Sequence, residues 1–468
     1  MLANVAILEL KCPIKRWIKW FLPFTYFFFY QYGISVRPYG LMLLFFILAA
    51  CVFKDRNEHP IRFVLCLLGL CLSSAFGILF AGGIVIAWTI DILREKSIKE
   101  TFSGYFKSPR LLALTGLLIA AALIILQIIP RSDTYATTKP SGNTVILRLI
   151  CALFTFIPDS IVTENSWSVC ETNLQGVTFT PGALIGTSLL GLLMWAVFLL
   201  LSKKGVYKYL VLPYAMFAVF AATVYFTAHH IGLVLYVVLF WMWINAQEKE
   251  NTSLLANWWE RVKADDKNAK LIEFCDKNKK SGKMFANSVI AMLLLLSVYW
   301  SVQSSILEYK YQYSFGREAS KFIKEYNLDE LIMMATWEVK DIDGDGIKEV
   351  DTNCMYSPVN LYPYFDKEFV ANMNYGYTTH RVATEAENRS NMEVWGAMGT
   401  PDILIGYVDV AAITDGEYTP GDYSPVFRLD MKYIWRGAEY ISYDYIFMRN
   451  DLLENYGLER LSGVVGSN

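Results

Sequence analysis

Two clusters of side chains in this 468-residue chain have types and spacing that could do chemistry. The first is Arg37, flanked by Tyr32 and Tyr39 in "FYQYGISVRPYG" (29–40), a polar joint between two apolar runs. A cation at membrane depth is costly and is usually kept for a purpose. The alternative is an arginine that snorkels to the headgroups. The second is "DIDGDGIKEVD" (341–351), where Asp341, Asp343 and Asp345 alternate ahead of Gly346 and Glu349. Calcium takes about six to eight oxygens around a sharply turned loop, and glycine permits the turn. Thr352 stands where an EF-hand carries its bidentate glutamate, so the choice is between a weak structural Ca2+ site and an ion-free Asp-Gly turn. His380, in "YGYTTHRVATE", has no acid or metal partner nearby in sequence and reads as a surface or packing residue. Asn388–Ser390 spells a glycosylation sequon, which matters only in a eukaryotic secretory pathway.

The elements that must hold these residues are mostly apolar. Hydrophobic residues make up 54 % of the chain and charged ones 18 %, against about 25 % charged in soluble domains. The deficit is confined to the first three hundred residues. A helix of about 18 or more apolar residues can cross the hydrocarbon core. Nine stretches are read as spans: 17–34, 37–53, 61–75, 76–93, 111–129, 181–201, 207–227, 231–246 and 284–304. The 61–93 stretch is long for one span and short for two, so a tight hairpin broken near Ser73–Gly77 is expected. Residues 143–157 suit a helix that lies at the interface or dips back. The fold class expected is an α-helical polytopic membrane protein of about nine transmembrane helices (1–304), followed by a C-terminal extracytoplasmic α/β domain (305–468).

Lysine and arginine set the orientation. With the N-terminus cytoplasmic, segments 1–19, 54–62, 94–110, 202–208 and 247–283 face inward and hold 24 Lys and Arg residues. The outward segments before residue 305 hold four: Arg37, Arg131, Lys139 and Arg148. Arg37 therefore stands outside, against the bias. Within the basic loop 247–283, Leu254, Leu255, Trp258, Trp259 and Val262 fall at helical spacing, as on an amphipathic helix at the inner leaflet. The net charge of −2 gives no reason to expect a nucleic-acid partner. The eight scattered cysteines form no CxxC or Cys/His cluster; Cys170 and Cys354 could both face outward, as a pair or as two thiols. No cleavable signal peptide is evident.

In the outer domain, "REASKFIKEYNLDELIMMATWEV" reads as a helix followed by a buried strand, with Ala319, Phe322 and Ile323 on one helical face. "DILIGYVDV" is a second apolar run. "VFRLDMKYIW" and "YISYDYIFMR" flank "RGAE" as a hairpin.

"YQYGISVRPYGLMLLFFILAA" is similar to a segment of the polytopic glycosyltransferases of the GT-C superfamily, which include protein O-mannosyltransferases and lipid A aminoarabinose transferases. In "TAHHIGLVLYVVLFWMWI" (227–244), His229 and His230 occupy places where related bacterial proteins have a basic residue and a histidine before glycine at a span start. "GREASKFIKEYNLDE…YPYFDKEF" resembles the outer domain of some bacterial members, and the 341–351 loop resembles DxDGDGxxE loops of bacterial surface proteins. The resemblance covers most of the chain and rests on layout and short motifs.

The resemblance implies sugar transfer from a polyprenyl-phosphate sugar to an envelope acceptor on the outer face, with no organic cofactor. A guanidinium can hold the lipid phosphate bidentately. Arg37 is then the phosphate ligand, with Tyr32 and Tyr39 at headgroup level. His229 and His230 either contact phosphate or sugar, or cap two tightly linked spans. Family members carry their catalytic acid in the first outer loop. Here the match begins at what would be the third span, and nothing before residue 17 supplies that loop. Either the start is placed too far downstream, or the chain is a shortened, inactive copy. Asp159 and Glu164, in "PDSIVTENSW", are the remaining acidic candidates for the general base. A catalytically inactive scaffold that binds a partner is the alternative. A transporter fits less well, because no internal repeat and no mid-span acid is seen.

Overall fold

The computed structural model describes residues 2–33, 38–95, 104–129, 142–162, 181–249, 251–311, 314–335, 338–340, 349–351, 360–367, 370–371, 396–405, 410–414, 416–435 and 438–462. The chain divides into two compact units, one of Met1–Ile129 and Lys139–Gln303, the other of Pro130–Thr138 and Ser304–Asn468.

The first unit is helical. Its helices are α1 (Leu2–Lys11), α2 (Arg16–Phe21), α3 (Tyr39–Val52), α4 (Pro60–Ser73), α5 (Ala75–Glu95), α6 (Pro109–Ile128), α7 (Gly142–Phe154), α8 (Phe156–Ile161), α9 (Pro181–Leu201), α10 (Lys208–Thr223), α11 (Val234–Gln247), α12 (Leu254–Lys263) and α13 (Ala269–Lys310). Inside lipid the backbone must bond to itself, which makes helices the spanning form for such apolar runs. Helix α6 shows the environment most plainly. Ser108 caps its N-terminus by accepting from the Leu111 N–H at 3.4 Å, and Pro109 opens its first turn. It then exposes Leu112, Leu118, Ile119, Leu123, Ile125 and Leu126 on its surface. A continuous apolar exterior of this kind is tolerated against acyl chains and not against water.

The nine expected spans are found in part. Among the described residues five helices are long and apolar enough to cross a membrane: Ala75–Glu95, Pro109–Ile128, Leu184–Leu201, His229–Gln247 and Ala269–Lys310. Tyr39–Val52, Pro60–Ser73 and Lys208–Thr223 are apolar but shorter. The 17–34 stretch is broken because Pro23 cannot donate to the helical ladder. After α2 come a 3-10 turn at Leu22–Phe24 and a wide π-helical stretch at Tyr26–Gln31. Tyr26 N–H donates to Ser297 Oγ at 3.1 Å, tying this stretch to α13. The 61–93 hairpin breaks at Ser74, where Gly77 lies so close to the Leu70 carbonyl that a Cβ would sit 2.0 Å from it. The basic segment 247–283 is not all loop, because its residues from Ala269 onward form one 42-residue helix with the last span.

Segment 1–19 packs along α3. Asn4 donates to the Gly40 carbonyl at 2.9 Å, while Lys11 and Cys12 lie by Cys51. Helix α1 thus runs beside α3 in the same direction, with Asn4 level with the start of α3. The charges that drove the reading, Lys11, Lys15, Arg16 and Lys19, all fall at the far end of this segment. Residues 142–161 form two short helices meeting at Thr155. Tyr214 donates to the Ala152 carbonyl at 2.6 Å and Trp195 to the Leu153 carbonyl at 2.8 Å, so the bend reaches the middle of α9 and α10.

The second unit contains α14 (Gly316–Glu325), β1 (Met333–Ala335), β2 (Glu338–Lys340), β3 (Glu349–Asp351), β4 (Ile403–Ile405), α15 (Val410–Ile413), β5 (Tyr423–Trp435), β6 (Ala438–Arg449) and α16 (Leu453–Tyr456). Its four-stranded sheet has the order β1-β4-β6-β5. β1 and β4 are parallel, and the other pairs are antiparallel. Phe315, Ala319 and Ile323 cover one sheet face with Met333, Ile403, Ile446 and Met448. Met334, Leu404, Val410 and Tyr423 form a core on the other. β1 and β4 are buried on both faces, which is why they read as unbroken apolar runs.

Candidate functional site

Four of the residues singled out in the sequence meet at one end of the helical unit. The Tyr32 hydroxyl donates to the His229 carbonyl at 2.6 Å, across 197 positions of sequence. The Tyr32 and Tyr39 rings are 4.7 Å apart, centroid to centroid. Tyr39 meets His230 edge-on at 6.1 Å, and the two imidazoles are 4.0 Å apart. Tyr32, Tyr39 and His230 are buried, and His229 is half-buried.

Local chain chemistry explains the convergence. Thr227 is extended and caps the 3-10 turn Ala228–Leu233. Its hydroxyl accepts from the His230 N–H, and its own N–H donates to His230 Nδ1 at 3.1 Å. That reciprocal cap makes Nδ1 an acceptor and places the proton of the neutral ring on Nε2. Phe76 at 4.4 Å, Phe226 at 5.5 Å and Tyr225 at 5.6 Å surround the same ring. Gly232 lets the turn close on the π-helical stretch, since a Cβ there would lie 2.2 Å from the Phe27 ring. Phe27 in turn packs 5.5 Å from Tyr32.

Asp159 is fully buried in α8, which packs against this turn and against α11. Phe156, on the same short helix, stacks on Phe226 at 4.5 Å, linking Asp159's helix to the histidine pair. A buried carboxyl needs partners that offset its desolvation.

Sequence reasoning missed Tyr236. It is fully buried on α11, 5.8 Å from the Tyr32 ring, and its hydroxyl has no hydrogen-bond partner among the described residues. Its only signal was a phenol one helical turn beyond Gly232 in an otherwise apolar run. Also missed was the polar tie beyond the opposite end of α3, about 20 Å from Tyr39 by helical rise. There Asp91 accepts from Lys208, from the Tyr209 hydroxyl at 2.6 Å and from Arg56 at 3.4 Å. Lys208 is buried, so this tie joins α5, α10 and the turn after α3 as a structural network.

Arg37, Glu164, Asp341, Asp343, Asp345, His380, Cys170, Cys354 and Asn388–Ser390 lie outside the described residues. Arg37 belongs to the segment whose two ends carry Tyr32 and Tyr39. Glu349 opens β3, paired with Lys340 of β2 in an antiparallel hairpin whose connection is 341–348. Among the described residues no cluster of three His, Cys, Asp or Glu could hold a metal ion.

Together the described side chains offer phenol and imidazole hydrogen bonds, aromatic surface and one buried carboxyl. These are groups that can orient a hydroxylated or anionic ligand and move a proton. No family model, curated protein or solved structure matches this chain.

Proposed function

We propose that the chain is a GT-C-like membrane glycosyltransferase that moves a sugar from a polyprenyl-phosphate donor to an envelope acceptor on the outer face. The observation that carries this reading is the meeting of Tyr32 and Tyr39 with His229 and His230. Two segments chosen for lipid-phosphate chemistry, far apart in sequence, share one end of the helical unit. In this reading Arg37 holds the lipid phosphate, and Tyr32 and Tyr39 fix the ends of its segment. His229 faces phosphate or sugar, and Asp159 is the base that takes the acceptor proton. Asp341, Asp343, Asp345 and Glu349 hold a structural Ca2+ in the hairpin connection of the second unit.

The test is transfer of radiolabelled sugar from polyprenyl-phosphate mannose, glucose or aminoarabinose in membranes carrying the full chain. Arg37→Ala and Asp159→Asn are expected to abolish it. Transfer at the unsubstituted rate in either variant removes that residue's role.

A second reading is favoured by His230, whose Nδ1 is committed to the Thr227 cap rather than to a ligand. In that reading the same end is a non-catalytic scaffold. Absence of donor binding by the purified chain, together with absence of transfer, would select it.

A further inference from the structure

Helix α12 has no assigned role in sugar transfer, and it is anchored in an informative place. Its first residue, Leu254, donates its backbone N–H to the Ser202 carbonyl at 3.2 Å. Lys203 and Ser253 pair as an isolated antiparallel bridge, and Ser253 caps the helix by accepting from the Ala256 N–H at 3.1 Å. Ser202 directly follows the apolar helix Leu184–Leu201. Backbone bonds thus hold the start of α12 at the end of that apolar helix.

The helix turns a finished amphipathic surface outward. Leu254, Leu255 and Trp258 are 42 %, 38 % and 52 % exposed, and no residue of α12 is buried. At about 100° per residue, Leu254, Leu255, Trp258, Trp259 and Val262 share one sector. Arg261 and Lys263 flank that sector on its two sides. Glu260, paired with Lys263 at 3.0 Å, points about 170° away from its centre. Apolar and indole groups in the middle, cations at both edges and the acid opposite match the layers of a bilayer surface: acyl chain, phosphate, water. A protein groove would not require cations on both flanks of the apolar sector.

We propose that α12 lies in the membrane surface, with Leu254, Leu255, Trp258 and Val262 among the acyl chains and Arg261 and Lys263 on lipid phosphates. The partner is the phospholipid leaflet at which Leu184–Leu201 ends. This does not depend on the chain being a transferase.

The full chain is reconstituted in vesicles of phosphatidylcholine with a quarter phosphatidylglycerol. Nitroxide is attached at Trp258→Cys or at Glu260→Cys, with the labelled unsubstituted chain as background. The expected result is that oxygen relaxes the label at 258 more than a water-soluble nickel chelate does, with the reverse at 260. Nickel preference at both positions overturns the proposal by placing the helix in water. Protection of 258 from both reagents overturns it by placing a protein partner on the face. Adding Arg261→Gln and Lys263→Gln to the 258-labelled chain is expected to lower its oxygen-to-nickel ratio. An unchanged ratio removes the phosphate contacts.

Discussion

The two units solve the same packing problem for opposite solvents. In the second unit, apolar side chains go inward onto two sheet faces, and ion pairs such as Arg428–Asp430 and Lys367–Glu330 stay on the outside. In the helical unit, α6 and much of α13 turn leucine, isoleucine and phenylalanine outward, and the consequential polar groups are inside or at helix ends. An ionic contact therefore carries different weight in each. Asp91 ties two cations, one of them buried, whereas Asp430 ties one arginine in water. Polar residues inform most where their surroundings are least polar, and that condition holds at the Tyr32–His230 cluster.

The largest effect that sharpens this contrast is expected at Asp91. Asp91→Ala leaves Lys208 buried without its counter-charge, a loss of about 3–5 kcal/mol. Thermal unfolding in detergent micelles is expected to show a midpoint many degrees lower. A midpoint near that of the unsubstituted chain would make Asp91 an ordinary surface acid.

Asp444 is the exception within the second unit. It is buried on β6 beside Ile446, across from Leu429 on β5, and burial pushes its carboxyl up to about 6. A folded-state pKa above the unfolded value of about 3.9 means that folding favours the protonated form. Asp444's contribution to the stability of this unit is expected to be largest below about pH 4, to be lost as pH rises through 6, and to be flat above. Asp444→Asn should flatten that profile and raise stability at pH 7.5 by about 2–3 kcal/mol. A pH dependence retained in the variant would assign it to another group.

Tyr236→Phe removes a buried hydroxyl that has no partner among the described residues, so it is expected to raise stability by about 1 kcal/mol. If that hydroxyl instead meets the donor, sugar transfer drops while stability rises, and measuring both separates the two roles. Asp430→Ala should change stability by about 0–1 kcal/mol, as for other exposed pairs.

The legible parts of the fold were those with a strict local period. The hairpin of β5 and β6 follows from alternation on either side of "RGAE", and α14 from the Ala319–Phe322–Ile323 face. Span number was less legible, because apolar content does not reveal that Pro23 breaks one run or that Tyr39–Val52 stops short. The path of α1 was hidden for a related reason. Residues 2–8 carry no charge, so Lys11 to Lys19 spoke for the whole segment. At the candidate site, Tyr32, Tyr39, His229 and His230 stood out at the borders of apolar runs. Tyr236 did not, because a tyrosine among Val, Leu and Phe looks like core. The Thr227–His230 cap depends on a turn geometry that residue type alone does not specify.

The central claim is that the end of the helical unit carrying Tyr32, Tyr39 and the histidine pair binds a lipid phosphate through Arg37. Equilibrium binding of fluorescent undecaprenyl phosphate to the purified full chain tests it most directly. A charge-assisted hydrogen-bond pair is worth about 1.5–3 kcal/mol, so Arg37→Ala should weaken binding by roughly 10- to 150-fold. Arg56→Gln, in the network at the far end of α3, should leave the affinity unchanged. Equal affinity in Arg37→Ala and the unsubstituted chain would contradict the account.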